Sequence, residues 1–400
     1  MNSGAKRINM PDKKVILKLG KDKAIKNHHH WIFSGAILSL PQFENGEVLD
    51  VFNTNNEFLG RAYFNKNSQI IGRMLTFDHT PVETALADNI KNAIALRRNF
   101  FDDKKTNAYR LINSEGDFIP GLIVDKYYNI LVLQIGTLGI EKLKTQIIEI
   151  LKKELKPAAI WEKSDLASRS EEGLRPFSGI LAGQETEEVE ILENGCKFKI
   201  NLANSQKTGF FLDQRAMRQL IGEISAGRNV LNCFAYTGAF SVYAAKNKAK
   251  TVATVEISEQ ALELSKNNFK LNKLTLGPKY QFIKANIFEY LRDLKDYYDL
   301  IILDPPAFAK RKADVIQACR GYKDINRLAM LKIKTPGYLL TSSCSYFVDE
   351  KLFQQVIFQA AREAQKNVRI IQKHHLAFDH PINLYQPEGE YLKSLLLYLD

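Results

Sequence analysis

The chain is poor in the residues that build disulfide frameworks and zinc sites. Its 400 residues include four cysteines, at positions 196, 233, 319 and 344, and no two of them form a C-x-x-C pair. No histidine stands near a cysteine at the spacing of a zinc site. We therefore expect neither a disulfide-stapled fold nor a structural metal. The "HHH" run at 28–30 leads into "WIFSGAI", which is typical of an ordinary folded segment rather than of a metal-binding tract.

Long apolar runs are also missing. No run approaches the roughly 20 residues that a membrane-spanning helix needs. The segment "MNSGAKRINMPDKK" (1–14) lacks the apolar centre of a secretion signal. We therefore expect a cytoplasmic protein with no membrane partner. With 400 residues, of which 45% are hydrophobic and 25% charged, the chain should form two or three globular domains.

Acidic residues are in the minority. Lys and Arg number 56 against 45 Asp and Glu, which gives a formal net charge of +11. The excess is concentrated in two places: residues 1–30 hold eight Lys and Arg against two Asp, and residues 304–334 hold eight against three Asp. Such segments attract polyanions, so we expect a nucleic acid partner. A generally basic, soluble surface is the alternative interpretation.

The hydrophobic pattern divides the chain into three parts. Residues 1–76 contain short β-type runs separated by Gly, Asn and Pro, as in a small β-barrel. Residues 77–190 mix helical and strand patterns in an order that predicts a small α+β middle domain. Residues 191–400 open with a hairpin whose expected turn is Asn194-Gly195. They then alternate apolar strands with helices, which predicts a doubly wound, mostly parallel α/β sheet.

The turns after the first three strands of that sheet indicate the cofactor. The first, "CFAYTGAF" (233–240), has one glycine, Gly238, and so lacks the G-x-G-x-x-G pattern that binds dinucleotide phosphates. Glu256 ends the second strand 18 residues later, where an acid can hold two ribose hydroxyls. Asn286 follows the third strand, beside the expected adenine position. Together these features favour S-adenosylmethionine.

Two reactive side chains follow the fourth and fifth predicted strands. Asp304 opens "DPP" (304–306), whose prolines stiffen the loop, and Cys344 stands in "SSCS" (342–345). In a doubly wound sheet both should reach the edge where ligands bind. Flanking hydroxyls and the nearby basic residues should favour a thiolate at Cys344. The alternative is a structural cysteine, which is the interpretation we prefer for Cys233 and for the two remaining cysteines.

Further motifs occur in order along the chain: "KTGFFLDQR" (207–215), "VLNCFAYTGAFSV" (230–242), "VEISEQALELSKNNFKLN" (255–272), "DPPAFAK" (304–310), "RGYKDINRLAM" (320–330), "SSCS" (342–345) and "PEGEYLKSLL" (387–396). Together they resemble the large-subunit ribosomal RNA cytosine-C5 methyltransferases that carry an N-terminal PUA domain. The likeness extends to "IWEKSDLASRSEEGL" (160–174) and "HHHWIFSGAI" (28–37), so it covers nearly the whole chain.

The resemblance implies a fold and a substrate. It implies a PUA-like, RNA-binding β-barrel at 1–76, a small α+β middle domain at 77–190 and a Rossmann-like class I methyltransferase domain at 191–400. The implied reaction is transfer of a methyl group from S-adenosylmethionine to C5 of a cytidine. The implied substrate is 23S ribosomal RNA, either free or in a large-subunit assembly intermediate. The oligomeric state is left open, with a homodimer as one option.

The resemblance also implies roles for individual residues. Cys344 would be the nucleophile that adds to C6 of the base, and Asp304 would orient and polarise that base. Asn286 stands where this family usually has Asp. The residues implied to form the cofactor site are Asp213, Arg215, Phe234, Tyr236, Gly238, Glu256, Asn286 and Asp304.

Basic residues near Asp304 have two interpretations. They could bind RNA phosphates, or they could form a solvated helix face. The residues are Lys310, Arg311, Lys312, Arg320 and Lys323.

Other functions fit part of the pattern. Amine methylation uses "DPP" followed by an aromatic residue, but here Ala307 comes first and Phe308 second. Ribosomal RNA guanine-N7 methyltransferases share similar "FLDQR", "YTG" and "DPP" motifs, and their reaction needs no cysteine. A ribosome-assembly factor that has lost turnover would keep the fold alone.

Overall fold

The computed structural model describes residues 13–203 and 207–400. These ranges contain three sheets and one separate hairpin. Residues 1–12, which hold part of the basic N-terminal segment and the start of the expected barrel domain, lie outside the described residues. Among the described helices, none is long and apolar enough to cross a membrane.

The N-terminal sheet encloses one apolar core between short strands. The strands are β1 (Lys14–Leu17), β2 (Trp31–Ile32), β3 (Ile37–Ser39), β4 (Val48–Phe52), β5 (Phe58–Phe64) and β6 (Gly72–Thr76), and a short helix α1 (Lys23–Lys26) follows β1. In the order β2-β6-β5-β4-β1-β3, only the β1–β4 pair is parallel. Along β4, side chains alternate between deeper and shallower burial, as expected for a strand with one face on a core.

The middle sheet follows, covered by long amphipathic helices. Its strands are β7 (Ala108–Asn113), β8 (Leu122–Tyr127), β9 (Ile130–Ile135), β10 (Ala159–Ser164) and β11 (Phe177–Gly183), and its helices are α2 (Val82–Phe100), α3 (Leu138–Leu155) and α4 (Ser168–Glu171). The order is β11-β10-β9-β8-β7. Helix α2 buries Val82, Leu86 and Ile90 at four-residue spacing, so one face of the helix packs on this core.

A hairpin connects the middle sheet to the last one. It pairs β12 (Glu188–Glu193) with β13 (Cys196–Asn201). Asn194 and Gly195 form the turn with φ of 49° and 74°. Positive φ at both central positions is the geometry expected for an Asn-Gly hairpin turn, so the predicted turn is confirmed.

The C-terminal sheet is doubly wound, as predicted. Its strands are β14 (Asn229–Cys233), β15 (Thr251–Glu256), β16 (Tyr280–Lys284), β17 (Tyr298–Leu303), β18 (Ile333–Ser343), β19 (Val368–His374) and β20 (Lys393–Leu399). Its helices are α5 (Arg215–Ile224), α6 (Ala239–Lys246), α7 (Glu259–Leu271), α8 (Ile287–Asp293), α9 (Val315–Leu331) and α10 (Glu350–Glu363).

Two apolar cores lie on the two faces of this sheet. Along β17, Leu300 enters one core and Ile301 the other, which explains the unbroken apolar run of this strand. The strand order is β16-β15-β14-β17-β18-β20-β19, and β14 to β18 are parallel. The order reverses between β14 and β17, and such a reversal opens the crevice where ligands bind in these sheets.

The connection between β19 and β20, residues 375–392, crosses back to the other two sheets. We call it the strap. Its Asp379 accepts a hydrogen bond from the backbone N–H of Arg110 at 2.8 Å and lies 2.9 Å from the guanidinium of Arg215. Further along, the Gln386 side chain accepts from the backbone N–H of His30 at 3.1 Å. The strap therefore ties the C-terminal sheet to both of the others.

We predict that Asp379→Asn strongly destabilises the protein. Although burial disfavours its charge, Arg215 and His380 hold the pKa of the Asp379 carboxyl well below its usual range. Removing one member of a buried ion pair costs about 3 kcal/mol or more, measurable as a lower free energy of unfolding in urea. The matched control is Glu263→Gln, which removes a solvent-exposed ion pair with Lys266 and should cost less than about 1 kcal/mol. Equal effects for the two variants would show that the buried pair of Asp379 and Arg215 does not stabilise the fold.

Candidate active site

Asp304 and Cys344 meet at the carboxyl ends of neighbouring strands. Asp304 directly follows β17, and Cys344 directly follows β18. The two strands are parallel, with Leu303 opposite Thr341, so both loops leave the sheet on the same edge. The Cys344 Sγ lies 3.9 Å from the carbonyl oxygen of Pro305. The two residues were predicted from the sequence to lie together, and they do so in the structure.

The serines beside Cys344 hold the loop rather than the thiol. The Ser343 hydroxyl donates to the Tyr322 hydroxyl at 3.0 Å, and the Ser345 hydroxyl lies 2.9 Å from the same oxygen. The Ser345 Oγ also accepts from the backbone N–H of Ala309 at 3.2 Å. These buried bonds fix the shape of the turn that presents Cys344.

The surroundings of Cys344 do not favour the expected thiolate. Burial raises the pKa of the Cys344 thiol to about 11, and the nearby Asp304 and Asp213 carboxyls act in the same direction. Lys207 opposes them, whereas the flanking hydroxyls bond elsewhere. The thiol is therefore protonated at neutral pH and needs a base to remove its proton.

The pKa of the Asp304 carboxyl is higher than that of an ordinary surface aspartate. Burial raises its pKa to about 7, with a further contribution from the neighbouring Asp213. Its Oδ1 accepts a hydrogen bond from Gln214 Nε2 at 2.9 Å. A carboxyl with a pKa near neutrality can both accept and donate a proton under physiological conditions.

The "FLDQR" motif supplies unused acceptors next to Asp304. The Asp213 Oδ2 accepts from the Tyr391 hydroxyl at 2.7 Å, but Asp213 Oδ1 and Gln214 Oε1 are buried with no hydrogen-bond partner among the described residues. Although burial disfavours its charge, Lys207 and His380 keep the pKa of Asp213 below its usual range. Buried acceptors without donors are rare, and an ammonium such as that of the methionine moiety of S-adenosylmethionine fits them.

Arg215, predicted at the same end of the cofactor site, has structural contacts. Its Nη2 donates to the carbonyl oxygen of Ala108 at 2.8 Å, and its Nη1 lies 2.9 Å from Asp379. The guanidinium also lies over the ring of Phe101, 4.7 Å from the centroid. These partners come from the middle sheet and the strap, so Arg215 joins the sheets instead of facing Asp213 Oδ1.

A cavity of about 110 Å³ brings together the predicted adenosine-binding residues Phe234, Glu256 and Asn286. Backbone N–H groups fix the Glu256 carboxylate: Tyr236 donates at 2.9 Å to one oxygen, and Ile257 and Ser258 donate at 2.9 and 3.0 Å to the other. A partly exposed carboxylate held in this way keeps lone pairs for two ribose hydroxyls.

Asn286 caps a helix in addition to its predicted contact with the adenine. Its Oδ1 accepts from the backbone N–H of Phe288 at 2.9 Å and caps the first turn of α8. An amide oxygen has two lone pairs, so the cap leaves one for an adenine amine. An Asp at this position would make the same cap.

The turn after β14 is compact because three residues adopt left-handed backbone conformations. Phe234, Tyr236 and Gly238 have φ of 57°, 48° and 75°. A Cβ on Gly238 would lie 1.9 Å from the Ser265 hydroxyl oxygen, so only glycine fits there. Strained residues of this kind cluster at ligand sites. The three predicted residues thus shape the wall between the adenosine cavity and α7.

The basic residues after Asp304 lie mostly in solvent. Lys310, Arg311, Lys312 and Arg320 are exposed, whereas Lys323 pairs with a carboxylate of α10 at 2.7 Å. Their contact with RNA phosphates stays a prediction.

Two residues of the site were missed from the sequence although they lie in "PEGEYLKSLL". The Tyr391 hydroxyl bonds Asp213, and Lys393 Nζ donates to the carbonyl oxygens of Ser345 and Tyr391, both at 2.8 Å. Lys393 is 5% exposed. A lysine that opens an otherwise apolar strand was the available signal, because such a charge must find buried partners.

Family models match two parts of the chain. One described as a PUA-like domain matches residues 15–77. Another, described as an S-adenosylmethionine-dependent methyltransferase, matches residues 147–373, more than half of the chain. The predicted fold class and cofactor are thereby confirmed.

Named relatives are similar along almost their whole length. Ribosomal RNA large subunit methyltransferase I of Alteromonas mediterranea is 38% identical over 388 residues, 96% of this chain and 98% of that protein. The protein of the same name from Aliivibrio fischeri is 39% identical over 387 residues, 95% and 98% of the two chains. The crystal structure of the methyltransferase SMU.776 complexed with SAH has a TM-score of 0.84 and 26% identity, and covers 96% of this chain and 99% of that one. The chain therefore belongs to the ribosomal RNA large subunit methyltransferase I family and is an S-adenosylmethionine-dependent RNA methyltransferase.

Proposed function

We propose that this protein methylates C5 of a cytidine in 23S ribosomal RNA, free or within a large-subunit assembly intermediate, and that it does so in the cytoplasm. The observation that carries the proposal is the convergence of Cys344 and Asp304 beside the cofactor site. The names of the relatives support a ribosomal RNA substrate of the large subunit.

The cysteine is required by the chemistry of cytosine. C5 is too weak a nucleophile to attack a methyl donor directly. A bond from the Cys344 sulfur to C6 moves the electrons of the C5–C6 double bond toward C5, which becomes an enamine-like carbon. Such a step needs a thiol at the rim of the cofactor site, and we assign this role to Cys344, which follows β18 beside the strand that leads to Asp304.

Asp304 moves the proton that this addition releases. With a pKa of about 7 for Asp304 and about 11 for Cys344, the pair rests as carboxylate and thiol above neutral pH. The Asp304 carboxylate takes the thiol proton as the S–C6 bond forms, and then donates it to N3 of the ring, where negative charge would otherwise collect.

The remaining steps return the enzyme to its starting state. S-adenosylmethionine, when bound, supplies an electrophilic methyl group on a sulfonium. After C5 has taken the methyl group, a base removes the C5 proton, the electrons re-form the C5–C6 double bond and the Cys344 sulfur leaves as a thiolate. The proton on N3 returns through Asp304 to that sulfur. The net change replaces the C5 hydrogen by methyl and releases one proton.

The residues that would hold the cofactor lie in the turn before α5 and at the ends of β14, β15 and β16. Asp213 Oδ1 and Gln214 Oε1 would accept hydrogen bonds from the methionine ammonium, because both are buried acceptors that have no donor among the residues the structure describes. Glu256 would accept hydrogen bonds from the ribose hydroxyls, and Phe234 and Asn286, which line the same cavity, would border the adenine. A target base inside paired RNA must be flipped out to reach Cys344.

We predict that Glu256→Gln weakens binding of S-adenosylhomocysteine by about tenfold or more. The variant loses a charge-assisted bond to ribose, and its amide N–H₂ faces backbone N–H donors. Isothermal titration calorimetry measures the change. The control is Glu259→Gln, an exposed residue of the same region that pairs with Lys284 and should leave affinity intact. A wild-type protein without any affinity would support an assembly factor that has lost turnover.

We predict that Asp304→Asn lowers kcat by about 10²- to 10⁴-fold, because an amide cannot carry the proton from sulfur to N3. Wild-type kcat should rise with pH through about 7 and then level off, since only the ionised carboxyl can accept the thiol proton. The variant should lack this inflection. A pH profile that is unchanged in Asp304→Asn would exclude the relay.

We predict that Cys344→Ala abolishes formation of 5-methylcytidine. Unmodified 23S RNA is incubated with S-adenosylmethionine and enzyme, and its nucleosides are analysed by mass spectrometry. Cys319→Ala is the control, because this half-buried cysteine lies on α9 and should leave activity unchanged. If 7-methylguanosine forms, or if Cys344→Ala is as active as wild type, the protein is a guanine-N7 enzyme or uses Cys344 only structurally.

A further inference from the structure

A cavity of about 450 Å³ lies between the N-terminal and middle sheets. The N-terminal sheet contributes Trp31, Phe33 and Arg73 to its wall, and the middle sheet with its helices contributes Glu115, Gln134 and Glu171. None of these residues takes part in the methyl transfer described above. The volume is large enough for a nucleobase with its sugar, as in other small-ligand sites.

An aromatic ridge forms the mouth of this cavity. Phe33 is 49% exposed, and its ring stands edge-on to that of Trp31, with centroids 6.2 Å apart. The Trp31 indole N–H donates to Glu115 at 2.9 Å, which fixes its ring. Both rings also border a second hollow of about 340 Å³ that contains Lys21 and His29. Proteins that bind single-stranded RNA stack unpaired bases on accessible aromatic side chains.

Charge decides which part of a nucleotide can enter the larger cavity. Arg73 is engaged by Glu172 at 2.8 Å, and Glu171 is exposed with no hydrogen-bond or ion-pair partner among the described residues. The lining is therefore acidic and repels phosphate, but it offers acceptors to a base. Guanine presents two adjacent donors, N1–H and N2–H₂, which match the two oxygens of a carboxylate. Phosphates can stay outside, near the exposed Lys21.

The cavity continues toward the active site. A neighbouring cavity of about 180 Å³ shares Ile123, Gln134 and Leu166 with it, and extends to Lys207 and Asp213. Lys207 acts electrostatically on Cys344. The larger cavity therefore adjoins a cavity whose lining includes Asp213 and Lys207, two residues that border the active site.

We propose that the cavity between the N-terminal and middle sheets is a second nucleobase site. It binds an unpaired guanine of the RNA substrate, outside the target nucleotide, which stacks on Phe33 and Trp31 and directs its donor edge to Glu171. The proposal rests on the proposed function, since it assigns part of the same substrate.

The test uses the natural fluorescence of the full-length protein. The sequence has two tryptophans, Trp31 at the ridge and Trp161, which is buried. Single-stranded RNA hexamers with one guanine, or with adenine in its place, are titrated while tryptophan emission is recorded. Stacking should quench emission, and Phe33→Ala should raise the dissociation constant about tenfold. Glu171→Gln should remove the preference for the guanine hexamer and leave binding of the adenine hexamer unchanged.

The controls distinguish a failure of the nucleobase site from a failure of the proposed methyl transfer. Phe358→Ala removes a comparable aromatic ring, 61% exposed on α10, and should bind hexamers like wild type. Unchanged S-adenosylhomocysteine binding shows that Phe33→Ala is folded. If Phe33→Ala binds and is quenched like wild type, or if Glu171→Gln keeps the guanine preference, the nucleobase site does not exist. A wild-type protein that forms no 5-methylcytidine refutes the proposed function instead, because the hexamer titration requires no turnover.

Discussion

The parallel pairing of β17 with β18 is the constraint on which the active site depends. Backbone hydrogen bonds set the register of parallel strands, so the loops that leave them have fixed neighbours. With Leu303 opposite Thr341, a carboxyl and a thiol emerge side by side without any direct bond between them. The hydrogen bonds of Ser343 and Ser345 with the Tyr322 hydroxyl then fix the conformation of the Cys344 loop. Neither loop needs to be long, because the sheet does most of the positioning.

Electrostatic interactions give the two acids of the site, Asp213 and Asp304, different roles. Asp213 is buried and the neighbouring Asp304 is half-buried, and like charges close together cannot ionise equally well. Lys207, His380 and Tyr391 favour the charge on Asp213, and the field of that charge helps to push the pKa of Asp304 up to about 7. One carboxylate is thus suited to bind a cation permanently, whereas the other can exchange a proton. Two carboxyls with separated pKa values are a general sign of divided roles.

Local sequence patterns predicted most of the fold but only part of the active site. The alternation of apolar strands with helices predicted the doubly wound sheet, and Asn194-Gly195 predicted a tight turn, because both depend on residues close in sequence. Glu256, Asp304 and Cys344 could be placed because each ends or directly follows a recognisable strand. The contacts of Arg215 could not be predicted, since its partners Ala108 and Asp379 are far away in the chain. The protonated state of Cys344 also escaped prediction, because it depends on burial and on two carboxyls brought in by folding.

The strap explains why residues so far apart behave as one site. From Asp213, a hydrogen bond leads to the Tyr391 hydroxyl, the Tyr391 carbonyl accepts from Lys393, and Lys393 donates to the carbonyl of Ser345, next to the nucleophile. Burial lowers the pKa of Lys393, so its ammonium is stabilised chiefly by these carbonyls and by negative charge nearby. A thiolate at Cys344 is such a charge. By reciprocity, the Lys393 ammonium favours the thiolate in the moment when Asp304 takes its proton. The same strap also reaches His30 through Gln386. The acid Asp213, the Cys344 loop and the N-terminal sheet that borders the proposed nucleobase site are therefore all hydrogen-bonded to one segment of chain, the strap and the first residue of β20.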